Sequence, residues 1–335
     1  MSAVLTTTPD YGGQTYALSS SAIVFLALGI STLVLHVPFF TAIWSNPNRR
    51  WKKEWLIVTA LGIADCIQAV SYTWIGLYRL NMPQPVQTVL IAVCATKGFV
   101  QVYIFAFQLV GMMTLALALD RLLIVTQPVR YARLRTGVHL TIFFVVPCLL
   151  ALLTMVINFS LVVNSSATVV SSCVGLYSTA PGYTTYLLLA RITMVGASAA
   201  IYPVVIYKMV SAFGRASKHK SVQPKCRQND RAMRATTLSI ALTTLDSFLL
   251  LLIPDLLYIV GVLYPYTLAY SIFALAKALI NVFIYAAGHR AIREDLLGRC
   301  TSAKKHLIPK ISTTTPSMPV TSIFMNLNAK AVSVA

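Results

Sequence analysis

The sequence is short of charged residues, and above all of acidic ones. Lys and Arg together number 27, Asp and Glu only 9, and the four types make up 11% of the 335 residues. Soluble domains usually carry about 25%. Hydrophobic residues make up 57% of the chain. A soluble core of this size cannot hide so much apolar surface, so lipid is predicted to be the solvent for much of it.

Several kinds of functional site are also missing from the sequence. The 5 His residues are scattered, and neither His-Glu-x-x-His nor Gly-x-Ser-x-Gly occurs, so nothing indicates an enzyme. No repeated half with matched broken spans indicates a transporter. No basic motif is interleaved with base-stacking aromatics, although the net charge is +18. We therefore expect no enzyme, no cofactor, no metal and no nucleic-acid partner.

What the sequence does contain is apolar runs of membrane-spanning length. A bilayer core needs about 20 residues of helix, and no run alternates with the period of two of a membrane barrel. The third run is longer than one crossing and is predicted to tilt or to extend beyond the lipid. The predicted fold is an all-α, seven-transmembrane helix bundle over residues 21–287. The runs are Ser21–Trp44, Trp55–Tyr78, Thr88–Val125, Val138–Val162, Thr184–Met209, Ala235–Val260 and Tyr266–Ala287.

Basic residues mark one side of this predicted bundle. All of the 27 lie beside the first, third and fifth connections or in the tail, except Arg79, Lys97, Arg191 and Lys277. Lys and Arg are retained in the cytoplasm, so the N-terminal residues 1–20 are predicted to lie outside the plasma membrane. The basic side then faces anionic lipid and an acidic partner. Residues 300–335 are polar and rich in Ser and Thr, and are predicted to be disordered.

The end of the third span carries the most specific motif. An Arg at the end of a span is costly unless it is paired or snorkels, and Asp120 is the nearest candidate partner of Arg121. The motif resembles the rhodopsin-like G-protein-coupled receptor pattern of Asp-Arg-Tyr followed by Val, Pro, an aliphatic residue and Tyr. This resemblance implies that Asp120 holds Arg121 at rest and that Arg121 meets a heterotrimeric G protein on activation. The alternative is an ordinary charged helix end. The matching residues are Asp120, Arg121, Val125, Pro128, Val129 and Tyr131, and Leu122 and Ile124 depart from the pattern.

The seventh span closes with a related but altered motif. Asn281 and Tyr285 resemble the family's Asn-Pro-x-x-Tyr, with Val282 in place of the Pro, and lie one turn apart on one face. Residues 288–299 then resemble the family's short amphipathic helix. Cys300 follows as a candidate for S-palmitoylation, or is an unmodified thiol.

The sixth span keeps only part of the family pattern. Pro254 can kink the helix, and Phe248 precedes it by six residues, as in the family. Leu252 stands where the family usually has Trp.

Two ionisable residues are predicted to meet inside the bundle. Asp65 follows the family's Leu-x-x-x-Asp pattern in span two, where many members bind sodium. Lys277 lies one turn before Asn281, so an Asp65–Lys277 pair is expected to replace the cation; alternatively Lys277 snorkels or faces water. The retinal-binding Lys of opsins corresponds to Leu275, so light sensing is not expected.

The resemblance also implies a disulfide on the outer side. Cys94 and Cys173 are the two cysteines predicted to lie outside, and they suit the family's bond between the top of span three and the second outer loop. Two free thiols are the alternative. Asn164 begins a glycosylation sequon in the same loop.

The outer halves of the spans offer candidate ligand contacts. Amine receptors of the family carry an Asp where this chain has Tyr103. Asp255 and Arg191 either bind a polar or charged ligand or pair with each other, and the aromatic candidates are either ligand contacts or helix packing. The candidates are Tyr103, Phe107, Arg191, Asp255 and Tyr258.

Among branches of the family, the chain most resembles nematode serpentine chemoreceptors of the srsx type. The resemblance rests on Gln108 in the third span, the altered Asn281 motif and the missing Trp. It implies a receptor for a small extracellular chemosensory molecule, coupled to a G protein, with arrestin as a further partner of the Ser/Thr-rich tail. A neuropeptide receptor and, less favoured, a small-solute transporter are the alternatives.

Overall fold

A computed structural model of the chain describes residues 14–46, 51–82, 87–173, 175–218, 239, 241–262 and 267–288. Residues 289–299 of the predicted amphipathic helix, Cys300, the predicted disordered tail and residues 1–13 of the N-terminus lie outside the described residues. The statements below concern the described part of the chain.

The described residues include seven helices that are long and apolar enough to cross a membrane, which confirms the predicted number of spans. The first helix begins at Gln14, seven residues before the predicted start of the span at Ser21. The helices are α1 (Gln14–Trp44), α2 (Lys53–Leu80), α3 (Gly98–Thr126), α4 (Thr136–Val163), α5 (Tyr183–Lys218), α6 (Ala241–Ile259) and α7 (Thr267–Gly288).

The prediction of one long third span is wrong. Residues Thr88–Leu90 form a strand, β1, a short helix covers Ile91–Ala95, and α3 begins only at Gly98. The break falls at Lys97, whose extended backbone precedes the helix without a side-chain cap. Apolar content alone gave the run its apparent length, because it does not distinguish a strand from a helix.

The strand β1 pairs with a second strand, so the described fold is not purely α-helical. β2 (Thr168–Val170) runs antiparallel to β1, with Val89 opposite Val169. Both strands contain the β-branched residues that favour extended backbone. In the sequence, β1 lies in the connection between α2 and α3, and β2 lies in the connection between α4 and α5. Their pairing therefore joins the two connections.

A disulfide between Cys94 and Cys173 ties the α4–α5 connection to the region before α3, which confirms the predicted bond. Cys173 has a φ of 45°, in the left-handed region that side chains other than Gly rarely adopt. The N–H of Cys173 donates to the carbonyl oxygen of Val170, the last residue of β2, at 3.0 Å, which closes a turn after the strand. We call the end of the bundle with this bond the disulfide end, and the opposite end, with Arg121, the Arg121 end.

The helix α3 lies at the centre of the bundle and packs against α2, α4 and α5. Within the spanning windows of α2 and α3, 72% of residues are buried, against 22% in α4. The exposed residues of α4 are large and apolar, including Leu149, Leu153 and Val156. Such a surface is stable against lipid and unfavourable in water, so the exposed pattern agrees with a membrane location.

The helices α1 and α2 approach each other closely through two glycines. A Cβ on Gly29 would lie 2.3 Å from Thr73 Oγ1, and one on Gly76 would lie 2.9 Å from the Ala22 carbonyl oxygen. Small residues let helix backbones approach closely in membranes, where packing rather than hydrophobicity drives association. These glycines therefore set the distance between α1 and α2.

Two spanning helices contain a π-helical segment placed identically relative to a proline. The segment Thr141–Val145 precedes Pro147 in α4, and Phe248–Leu252 precedes Pro254 in α6. A proline has no N–H to donate to the carbonyl four residues earlier, and its ring crowds that carbonyl. A wider turn relieves this crowding and is a recognised response inside α-helices.

Candidate functional site

Three buried polar clusters and a cavity lie along the described part of the bundle. The first cluster lies at the Arg121 end and is centred on the fully buried carboxylate of Asp120. Arg121 Nη2 lies 3.3 Å from Asp120 Oδ2, with the arginine side chain only 5% exposed. His139 Nε2 lies 2.6 Å from Asp120 Oδ1. This contact joins the start of α4 to the carboxylate near the end of α3.

The residue Tyr131 closes this cluster from the short helix Pro128–Arg133, in which Pro128 occupies the first turn. Its hydroxyl donates to Asp120 Oδ1 at 3.1 Å, and Lys53 Nζ donates to its carbonyl oxygen at 2.7 Å. Burial, and then the charge of Asp120, raises the pKa of Tyr131 above its ordinary value. The hydroxyl is therefore a proton donor throughout the physiological range.

Of the residues predicted for this end, Arg121 and Tyr131 thus meet at the Asp120 carboxylate, and His139 joins them. His139 was not singled out from the sequence, because it lies 19 residues away on α4 and nothing in its neighbourhood forms a motif. Its position at the start of an apolar run was the only available signal.

The second cluster lies inside the bundle, between α2 and α7. Lys277 Nζ donates to Asp65 Oδ1 at 2.7 Å, and Asn281 Nδ2 donates to Asp65 Oδ2 at 2.9 Å. All three side chains are at most 2% exposed. Of the two arrangements considered for Lys277, the structure has the pair with Asp65 rather than a snorkelling side chain.

A second carboxylate interacts with this cluster. Asp246 on α6 is 8% exposed and interacts electrostatically with both Lys277 and Asp65. Sequence reasoning missed it, although an acidic residue within the sixth apolar run was a signal by itself. The inner cluster therefore contains two acids and one cation.

The other predicted switch residues occupy different surroundings. Tyr285 is buried, and its ring centroid lies 6.0 Å from that of Phe39. Pro254 is buried on α6. Phe248 is 37% exposed, so the structure does not bring it to either cluster. It was predicted only from its family position six residues before Pro254, and it lies at the start of the π-helical segment.

The third cluster lies towards the disulfide end and contains a buried ion pair between α5 and α6. Arg191 Nε donates to Asp255 Oδ2 at 2.7 Å, and Arg191 Nη2 also donates to Asp255 Oδ1. The guanidinium carbon lies 3.5 Å from the ring centroid of Phe107. Arg191 and Asp255 therefore pair with each other, which was one of the two alternatives.

The residue Tyr270 on α7 completes this ion pair. Its hydroxyl donates to Asp255 Oδ1 at 2.7 Å and accepts from Arg191 Nη2. It was not identified from the sequence, because a Tyr in an apolar span is most often packing. Its role depends on contacts with α5 and α6 that no local pattern reports.

A cavity opens beside this ion pair at the disulfide end. Its empty volume is ≈ 380 Å³, which includes space open to solvent. Tyr103 and Tyr258 of the five predicted ligand contacts line it, whereas Phe107, Arg191 and Asp255 do not. Tyr270 lines the cavity and also bonds the ion pair, so it connects the two.

The floor and rim of the cavity come from distant parts of the chain. Gly175, in the connection between α4 and α5, lies against Tyr103, where an added Cβ would be 2.4 Å from the ring. Arg79, at the end of α2, is 9% exposed and also lines the cavity. Asn164 ends α4 in an exposed position, and its glycosylation stays a prediction.

Neither a protein-family model nor a curated protein matches the chain.

Proposed function

We propose that this protein is a rhodopsin-like G-protein-coupled receptor in the plasma membrane, with the disulfide end outside and the Arg121 end in the cytoplasm. The observation that carries the proposal is the buried Asp120–Arg121 pair, which Tyr131 and His139 hold at the end of a central spanning helix. A buried cation at a helix end, restrained by a single acid, is suited to release toward an acidic partner.

The orientation has two independent supports. Disulfides form and persist in oxidising compartments, so the Cys94–Cys173 bond favours an outer location for its end of the bundle. In the sequence, the basic residues concentrate beside the first, third and fifth connections and in the tail, as cytoplasmic segments require. The two arguments use different residues and agree.

Signal transfer requires that a ligand bind one conformation of the bundle better than another, because only differential affinity shifts an equilibrium. The helix α7 carries Tyr270 in the cavity and Lys277 and Asn281 in the inner cluster. A ligand that displaces Tyr270 therefore acts on the helix that also carries Lys277. In the active conformation Arg121 leaves Asp120 and meets the G protein.

The ligand is proposed to be a small chemosensory molecule. The resemblance to srsx-type chemoreceptors supports this finer proposal, and so does the cavity at the disulfide end, which Tyr103 and Tyr258 line.

The test is a ligand-panel screen in cells that express the full chain, read as G-protein activation. Arg121→Ala should abolish activation by any active compound while surface expression persists. Arg130→Ala is the matched control, because Arg130 is an exposed arginine at the same end and contacts Gln127 rather than Asp120. Normal signalling by Arg121→Ala at normal surface expression would contradict the proposal.

A further inference from the structure

We propose that the cavity at the disulfide end binds a small organic anion, a carboxylate with a small apolar body, and that Arg79 binds the carboxylate group. This inference rests on the proposed function, because it names the ligand class of the same receptor. Its physical basis is a buried cation that the protein does not neutralise.

Four lysine and arginine side chains are buried in the described bundle, and three of them are paired with an acid. Arg121 contacts Asp120, Arg191 contacts Asp255 and Lys277 contacts Asp65. Arg79 is the exception, because no carboxylate of the described residues lies within ion-pair distance of it.

The contacts that Arg79 makes are weak and leave donors available. Its Nη1 donates to Ser21 Oγ at 3.3 Å, and its guanidinium carbon lies 5.0 Å from the ring centroid of Phe25. Its Nε has no hydrogen-bond partner, although the side chain is only 9% exposed. A buried charge without a counter-ion is unfavourable.

A ligand carboxylate satisfies this group better than any neutral ligand. The guanidinium presents its donors in a planar fork that matches the two oxygens of a carboxylate. The cavity itself contains no acidic residue that would compete for Arg79 or attract a ligand cation. Asp255, which contacts the cavity residue Tyr270, already accepts from Arg191 and Tyr270.

The remaining walls of the cavity define the body of the ligand. Tyr72, Tyr103, Tyr258 and Tyr270 line it, with the Tyr72 and Tyr103 rings edge to face at a centroid distance of 5.6 Å. Aromatic walls favour flat apolar groups, which stack or pack edge-on against them. Positive charge at one wall and aromatic rings at the others together select an aromatic or short aliphatic acid.

The test uses the purified full chain in lipid nanodiscs and four carboxylates: benzoate, phenylacetate, cinnamate and hexanoate. Each is compared with its own primary amide, and phenylacetate also with phenethylammonium. Binding to the folded state raises the thermal unfolding midpoint, and titration of this shift gives Kd. We expect at least one carboxylate to stabilise the protein, and its amide and the ammonium compound to bind at least tenfold more weakly.

Substitutions then locate the site. Arg79→Gln should raise the Kd of the stabilising carboxylate by about 10- to 100-fold, as for lost hydrogen bonds to a charged group, and Arg79→Lys should lie between it and the parent. Arg133→Gln is the matched control, because this exposed arginine lies at the other end of the bundle. If Arg79→Gln does not fold, Tyr103→Phe tests the cavity wall without changing any charge. This substitution should weaken the binding of carboxylate and amide alike.

Three results would overturn the inference: no carboxylate stabilises the parent more than its amide, the ammonium compound binds as well, or folded Arg79→Gln or Arg79→Lys binds like the parent. The receptor proposal fails separately. If a carboxylate binds through Arg79 but never activates a G protein, the site stands and the receptor proposal does not. If a neutral compound activates through Arg121 while carboxylates do not bind, the reverse holds.

Discussion

Inside the bundle, each ionisable side chain depends on its partner, because the low dielectric that strengthens an ion pair also makes an isolated charge costly. Asp65 and Lys277 illustrate this dependence, with their charged atoms 2.7 Å apart and both side chains almost fully buried. Because Asp246 interacts with the same lysine, losing Asp65 and losing Lys277 should not cost the same stability. Losing the acid leaves Lys277 with a second carboxylate, whereas losing the lysine leaves two acids without a cation.

This inequality gives a prediction for a double-mutant cycle. Lys277→Met should lower the free energy of unfolding by about 3–5 kcal/mol, and Asp65→Asn by less, because Asp246 still neutralises Lys277 in part. The double substitution should recover much of the loss. Thermal unfolding of the purified protein in one detergent measures all four members.

Two outcomes would contradict this account of the pair. Strictly additive losses would mean that Asp65 and Lys277 do not interact. A loss of agonist affinity on adding sodium would mean that a cation site exists beside Asp65, where Lys277 already supplies the positive charge.

The packing of α1 against α2 depends on the absence of two side chains. At Gly76 a Cβ would meet backbone and side-chain atoms of α1 below 3.0 Å, and backbone cannot move aside as a flexible side chain can. At Gly196, on α5, an added Cβ meets nothing within 4 Å. The same substitution at these two sites therefore separates helix packing from helix propensity.

We predict that Gly76→Ala lowers stability by about 1–3 kcal/mol, the usual cost of overpacking. Gly196→Ala should be neutral or should raise stability by up to about 1 kcal/mol, because Ala is the better helix former. Thermal unfolding midpoints in the same detergent compare them. Equal effects of both substitutions would show that the α1–α2 distance is not set at Gly76.

How far the sequence predicts the structure also differs from one element to the next. Seven spans follow from apolar length, because a bilayer imposes the same length on every helix. The β1 strand does not, because its partner β2 lies about 80 residues away and a pairing of that kind leaves no local pattern. Cys94 and Cys173 were paired only through a family resemblance, and His139, Asp246 and Tyr270 were found only when distant helices came together.

In the whole molecule, a group of basic residues and the disulfide lie towards opposite ends of the bundle. The chain carries a net charge of +18, and the described basic residues Lys53, Arg130 and Arg133 lie at the Arg121 end while the disulfide lies at the other. An acidic membrane surface and a reducing cytoplasm both favour one insertion direction. The direction is therefore testable without any knowledge of the ligand.

Single cysteines introduced at the two ends of the bundle should report the direction of insertion. Val262 is 56% exposed after α6, and Val129 is 63% exposed at the Arg121 end. With Cys226 and Cys300 replaced by Ser, a membrane-impermeant maleimide should label Val262→Cys in intact cells. It should label Val129→Cys only after permeabilisation, and the background without a new cysteine gives the unspecific signal. The opposite labelling pattern would reverse the proposed orientation.

The π-helical segment Phe248–Leu252 also determines which way two carboxylates point. Asp255 lies nine positions after Asp246. Nine positions of regular α-helix rotate a side chain by about 900°, that is, two full turns and a half, so the two side chains would point to opposite faces. On a regular helix one of the two acids would point into lipid. The wider turn takes up one extra residue, which reduces the rotation to about 800° and leaves the two about 80° apart. Both are buried in the bundle, at 8% and 0% exposure; Asp246 interacts electrostatically with Lys277, and Asp255 forms an ion pair with Arg191. Pro254 thereby sets the angle around the α6 axis between Asp246, at the inner cluster, and Asp255, in the ion pair at the cavity.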